Sequence, residues 1–112
     1  ADAVFVSNHG GRQLDRAPVP LELVEPTVQA LQGRAEVLVD TGVTNGGDVV
    51  AAVALGASAA LVGRAYLYGL MAGGRAGVAK VAEILRADIV RTLQLLGVTR
   101  VDELGPQHVR LR

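Results

Sequence analysis

His9 and Arg12 stand three residues apart in the polar cluster Ser7-Asn8-His9-Gly10-Gly11-Arg12-Gln13-Leu14-Asp15. Histidine changes charge nearest neutral pH and can accept a proton from a reacting group. Arginine holds a carboxylate through two parallel hydrogen bonds. The pair therefore suits oxidation or deprotonation next to a carboxylate, in a loop made pliable by Gly10 and Gly11. The same residues also allow a plainer reading, with Asn8 and His9 as turn formers and Arg12 and Asp15 as a surface ion pair. Residue types alone leave both open.

A second signal is glycine-rich backbone after two further apolar runs. Glu36-Val37-Leu38-Val39-Asp40 empties into Thr41-Gly42-Val43-Thr44-Asn45-Gly46-Gly47, and Ala59-Ala60-Leu61-Val62 empties into Gly63-Arg64. Backbone N–H groups at a helix start attract phosphate, and Arg64 adds a positive fork. Asp40 could accept a ribityl or ribose hydroxyl, or the N–H groups of its own loop. Neither a Gly-x-Gly-x-x-Gly fingerprint nor a P-loop lysine pattern follows any of these runs, which argues against a dinucleotide or nucleoside-triphosphate fold.

These residues need strands that end beneath them. Val4-Phe5-Val6, Glu36–Asp40 and Ala59–Val62 read as parallel strands covered on both faces, because they are continuous rather than alternating in hydrophobicity. Between them the chain predicts a helical turn at residues 21–25, a helix opened by Pro26 and capped at Gly33, and a helix at residues 48–55 burying Val49, Val50, Val53 and Ala54. A short helix, 65–71, breaks at Gly73-Gly74. Residues 76–96 follow with Val78, Val81, Leu85, Ile89, Leu93 and Leu96 on one buried face. Thr99 and Asp102 have capping-box spacing, and residues 107–112, including His108, form a tail without an assigned order. Strand starts are separated by more than the dozen or so residues that a parallel crossover needs. Three such strands cannot close a barrel. A Gly-rich loop, a strand, a phosphate-binding turn and a short extra helix is nevertheless the order found at the end of a (β/α)₈ barrel.

Composition bounds the function. Eleven basic and eleven acidic residues cancel, with the arginines scattered from Arg12 to Arg112, so there is no electrostatic footprint for nucleic acid. The chain has no cysteine, which excludes thiol catalysis, disulfides and Cys-ligated zinc; no metal site is expected. At 112 residues and 50% hydrophobic content, without an unbroken apolar stretch long enough to span a bilayer, it reads as one domain unit over residues 1–112. The start, Ala1 to Val6, carries neither an initiator Met nor a basic leader. The expectation is that the chain begins inside a larger structure.

The cluster Ser7–Asp15, with Asp40-Thr41-Gly42, Ala54-Leu55-Gly56-Ala57, Leu61-Val62-Gly63-Arg64 and Tyr66-Leu67-Tyr68-Gly69-Leu70, closely resembles the C-terminal part of the FMN-dependent 2-hydroxy acid dehydrogenases and oxidases. The likeness runs from the first strand to Pro106. It implies an α/β fold in which this chain supplies the last three βα units, strands six to eight, of a (β/α)₈ barrel, incomplete by itself. It also implies FMN as cofactor, with His9 as the active-site base and Arg12 as the clamp on the substrate carboxylate. Asp40, Gly42, Thr44, Gly63 and Arg64 match positions that hold the ribityl chain and phosphate of FMN. The implied reaction oxidises a 2-hydroxy acid such as L-lactate, passing a hydride equivalent to flavin N5.

One departure stands out. The family commonly has Asp-Gly-Gly-x-Arg where this chain has Asp40-Thr41-Gly42-Val43-Thr44, so a cationic phosphate contact is missing at Thr44. The Asp-Thr-Gly variant looks particularly like a branch that includes pre-mycofactocin synthase, which oxidatively deaminates a peptide-derived heterocycle. The implied partners are the N-terminal part of the same barrel, a small carboxylate or peptide-derived substrate, and further copies in a homo-oligomer. The implied location is cytoplasmic, or peripheral to the inner face of the membrane. Two other classes remain: a catalytically inactive fragment or scaffold, and another phosphate-binding barrel acting on nucleotide or prenyl phosphates.

Overall fold

A computed structural model describes residues 1–111. Three parallel strands, β1 (Ala3–Val6), β2 (Glu36–Val39) and β3 (Ala59–Ala60), lie in the order β1-β2-β3. Val4 stands opposite Val37, Val6 opposite Val39, and Val39 opposite Ala60. The β-branched residues fit a pleated, packed surface. Pairing runs slightly past the strand ends, where Leu61 N–H donates to Val39 O at 2.8 Å and Asp40 N–H to Val6 O at 3.2 Å.

Successive strand residues point to opposite faces, and only one face is covered. Val6, Val37 and Val39 are buried against Val24 of α1 (Pro20–Leu31) and Ala52 of α2 (Gly46–Ala54), with Leu55 and Ala57 completing the core. On the other face Phe5 remains 47% exposed, and Leu38 and Ala59 are half-buried. The expectation of strands covered on both sides is thus half met. Within the described residues nothing packs on the Phe5 face or pairs with the outer edges of β1 and β3. The result is an open, incomplete β/α layer, as three strands of a barrel must be.

α1 is one helix running through Pro26, where a turn and a separate helix were expected. Proline in a helix interior removes the bond to the carbonyl four residues back and costs about 3 kcal/mol. Full burial of Val24, with Leu21, Val28 and Leu31 packed on the same core, keeps both halves aligned. The helix ends in left-handed backbone at Gln32 (φ 51°), one residue before the expected Gly33. α2 starts two residues before Asp48, because Asn45 and Asp48 form a capping box. Val50 and Ala54 are buried as expected; Val49 and Val53 are half-buried, and Ala52 takes the central position.

α3 (Arg64–Leu96) contains the expected break. Gly73 and Gly74 leave helical geometry, the latter at φ 56° and ψ −137°, and divide it into two limbs. The limbs meet where Gly69 passes Gly77, and a Cβ on Gly69 would lie 2.6 Å from the Gly77 carbonyl oxygen. The second limb packs on α2, and Asp88 Oδ2 accepts the Gly46 N–H at 2.7 Å. Its apolar stripe from Val78 to Leu96 is half-buried instead of buried, with α2 as the main element packed on α3.

The C-terminal segment is ordered into 3₁₀ turns at Val101–Glu103 and Pro106–His108. Thr99 bonds Glu103 rather than Asp102, with its hydroxyl donating to Oε1 at 2.8 Å, while Asp102 pairs with Arg100 at 2.9 Å. This exposed pair holds the Asp102 carboxyl below its ordinary range through the hydrogen bond from Arg100. His108 helps to fix the last turn, because its Nδ1 accepts the Gly105 N–H at 3.1 Å. Val109 then packs on the core. Residue 112 lies outside the described residues.

Candidate functional site

The carboxyl ends of the three strands open into one cleft of about 650 Å³. Each wall comes from the loop after one strand.

The loop after β1 is shaped by its own side chains. His9 N–H donates to Ser7 Oγ at 3.1 Å, and Asn8 Oδ1 accepts the Gly11 N–H at 3.0 Å. Asn8 Nδ2 closes the loop on Pro18 O at 3.3 Å. Three successive residues, His9, Gly10 and Gly11, have positive φ (55°, 71° and 77°), which turns the chain sharply around the histidine. Arg12 follows. Asp15 Oδ1 accepts the Arg16 N–H at 3.1 Å, and among the described residues Arg12 makes no ion pair, so the surface-pair reading of Arg12 and Asp15 does not apply.

The loop after β2 carries Asp40, Thr41, Gly42, Val43 and Thr44. Thr41 Oγ donates to Asp40 Oδ1 at 2.7 Å and accepts the Gly10 N–H at 3.2 Å, joining this loop to the histidine loop. Val43 is buried. Behind it, Asp48 Oδ2 accepts from Thr44 N at 2.8 Å, Thr44 Oγ at 3.1 Å and Asn45 N at 3.1 Å. The Thr44 hydroxyl proton is therefore directed at Asp48.

The loop after β3 ends at Gly63, the N-cap of α3. No side chain caps that helix start, in contrast to the capping box of α2. Unsatisfied N–H groups at a helix N-terminus, with the positive end of the helix dipole, favour an anion. Arg64 lies beside them and makes no ion pair among the described residues.

All seven residues singled out from the sequence line this cleft: His9 and Arg12 on one side, Asp40, Gly42 and Thr44 at the centre, Gly63 and Arg64 on the other. Asp40 is the one carboxylate against two guanidinium groups, so the lining favours a negatively charged ligand. An acceptor for sugar-like hydroxyls, an uncapped helix start and an arginine together make a donor and acceptor set that fits a ribityl phosphate. Arg12 remains for a second anionic group near His9.

Two contributors escaped the residue-type reading. Thr41 joins the loops, and its signal was present as the residue that interrupts the family's Gly-Gly pair. Tyr66 lines the cleft, whereas Tyr68, two residues on and 63% exposed, does not.

Comparison with known proteins agrees with this geometry. The FMN-dependent dehydrogenase family model matches residues 1–111. A candidate L-lactate dehydrogenase of Mycobacterium tuberculosis is 58% identical over 108 residues, covering 96% of this chain and 26% of that protein. Pre-mycofactocin synthase of the same species is 47% identical over 107 residues, covering 96% of this chain and 27% of the relative. The crystal structure of a soluble mutant of the membrane-associated (S)-mandelate dehydrogenase from Pseudomonas putida superposes with a TM-score of 0.93 at 46% identity, over 100% of this chain and 32% of that one. The chain thus spans about a quarter to a third of the length of these proteins. With the family model matched over residues 1–111 and its parallel β/α order, this chain belongs to the FMN-dependent dehydrogenase family.

Proposed function

We propose that this chain is the C-terminal section, strands six to eight, of an FMN-dependent 2-hydroxy acid dehydrogenase, active once the preceding barrel strands are in place. The observation that carries the reading is the convergence of His9, Arg12, Asp40 and Arg64 on one cleft from three separate loops. Asp40 and Gly42 hold the ribityl chain; Gly63, Arg64 and the α3 start hold the phosphate, with Thr44 as a weaker hydroxyl contact. FMN, when bound, supplies the two-electron acceptor. Arg12 orients the substrate through its carboxylate, and an imidazole nitrogen of His9 takes the proton of the substrate hydroxyl. The sharp turn around His9 and Gly10 presents the ring to the cleft.

L-Lactate is the first substrate to test, supported by the 58% identity to the M. tuberculosis relative. Oxidation of a peptide-derived heterocycle is the second reading, supported by the 47% identity to pre-mycofactocin synthase. The partner is the N-terminal portion of the barrel, joined covalently or as a separate fragment. The bare Phe5 face and two free sheet edges are its seats. The complete protein assembles as a homo-oligomer and works in the cytoplasm, peripheral to the inner face of the membrane. None of the described helices is long and apolar enough to cross a membrane, and one relative is described as membrane-associated.

The test is a flavin spectrum of the complete barrel during anaerobic addition of L-lactate, (S)-mandelate and a peptide-derived heterocycle. Bleaching by a 2-hydroxy acid supports the first reading and bleaching by the heterocycle alone the second. A complete barrel without flavin would refute both.

A further inference from the structure

Thr41 adopts φ 72°, in the left-handed region where a β-branched residue is a clear outlier. A residue with a Cβ adopts that conformation only under strain, and glycine adopts it freely. On backbone grounds alone, position 41 is better served by glycine. What the threonine adds is its hydroxyl, and both ends of that hydroxyl are used. Its proton goes to Asp40 Oδ1 at 2.7 Å, an ordinary length for a hydroxyl donor. A lone pair of the same oxygen accepts the Gly10 N–H at 3.2 Å, from the residue next to His9.

We propose that Thr41 is a positioning residue: its side chain, held on strained backbone, ties the His9 loop to the Asp40 carboxylate and fixes the base relative to the cofactor wall. The inference rests on the functional reading of His9 and Asp40 given above. The chain Gly10 N–H to Thr41 Oγ–H to Asp40 Oδ1 is the side-chain link between these two loops in the described hydrogen-bond network. It is directional, since the carboxylate orients the hydroxyl so that its lone pair faces Gly10. Asp40 Oδ2 stays available for a ligand hydroxyl. The strain at Thr41 is offset by these two bonds, as expected where backbone distortion serves a site.

The test compares Thr41→Gly and Thr41→Ser with wild type in the complete flavoprotein. Glycine removes the hydroxyl and relieves the backbone; serine keeps the hydroxyl. In the glycine variant, Gly10 amide exchange, followed by glycine-selective ¹⁵N labelling, should accelerate by about tenfold, the scale of one lost hydrogen bond. The melting temperature should hold or rise. The kcat for the hydroxy acid should fall by about tenfold or more from misplacement of the base. Serine should return exchange and kcat to within about threefold of wild type. Unchanged Gly10 exchange in the glycine variant, an unchanged kcat, or a serine variant no better than glycine would overturn the proposal. If the wild-type protein shows no hydroxy-acid-dependent flavin reduction, that failure belongs to the functional reading, and Gly10 exchange alone decides whether Thr41 holds the loop.

Discussion

Removing the Asp48 carboxylate should loosen the central wall of the cleft by an amount the structure allows one to work out. One oxygen, Oδ2, accepts three hydrogen bonds, from Thr44 N, Thr44 Oγ and Asn45 N. All three are exposed, so water can replace the carboxylate, and each is worth roughly 0.5 kcal/mol, the low end for a protein hydrogen bond. A negative charge in the first turn of a helix adds roughly 0.5 kcal/mol through the dipole. Asp48→Ala should therefore cost about 2 kcal/mol of local stability, a factor of about 30 in the opening equilibrium of residues 41–48. Asp48→Asn keeps one carbonyl acceptor and should lose about half of that. Hydrogen exchange with mass-spectrometric detection of the peptide covering residues 41–48, in the complete protein, reads this opening directly. FMN release should quicken in the same order. An alanine variant exchanging less than about threefold faster, or an asparagine variant as loose as alanine, would refute the assignment of Asp48 as the brace of this loop.

Two further outcomes follow from the cleft lining. Arg12→Lys should raise KM for carboxylate substrates by about tenfold or more, because a point charge cannot reproduce the guanidinium fork, with FMN content unchanged; steady-state kinetics and flavin absorbance check this. Thr44→Arg should restore a cationic contact and tighten FMN by about tenfold, the scale of a charge-assisted hydrogen bond, as measured by the flavin dissociation constant.

The gross order of strands and helices was legible because each element carries a local signal: short apolar runs for the strands, three-and-four spacing for the second limb of α3, and Gly73-Gly74 for the break. The lining of the cleft was legible for the same reason, since His9, Asp40 and Gly63 each follow an apolar run. What the sequence hid depends on contacts between distant segments. Pro26 looks like a helix start until Val24 and Val28 are seen packed on one core. Phe5 looks like a core residue because the strand pattern assumes two covering layers, and one of them lies outside this segment. Thr41 looks like an ordinary loop residue until the β1 loop arrives 31 residues away in sequence to use its hydroxyl. His108 shows its role only when its ring is seen accepting from Gly105.

The central claim is that His9 takes the substrate proton in a flavin-linked oxidation. The most direct measurement is anaerobic stopped-flow reduction of the bound flavin by L-lactate in the complete protein, wild type against His9→Ala. Both proteins should bind flavin equally, and reduction in the variant should be slower by about 10²–10⁴-fold, the usual scale for a lost general base. A variant that binds flavin normally and is reduced at the wild-type rate would contradict the claim.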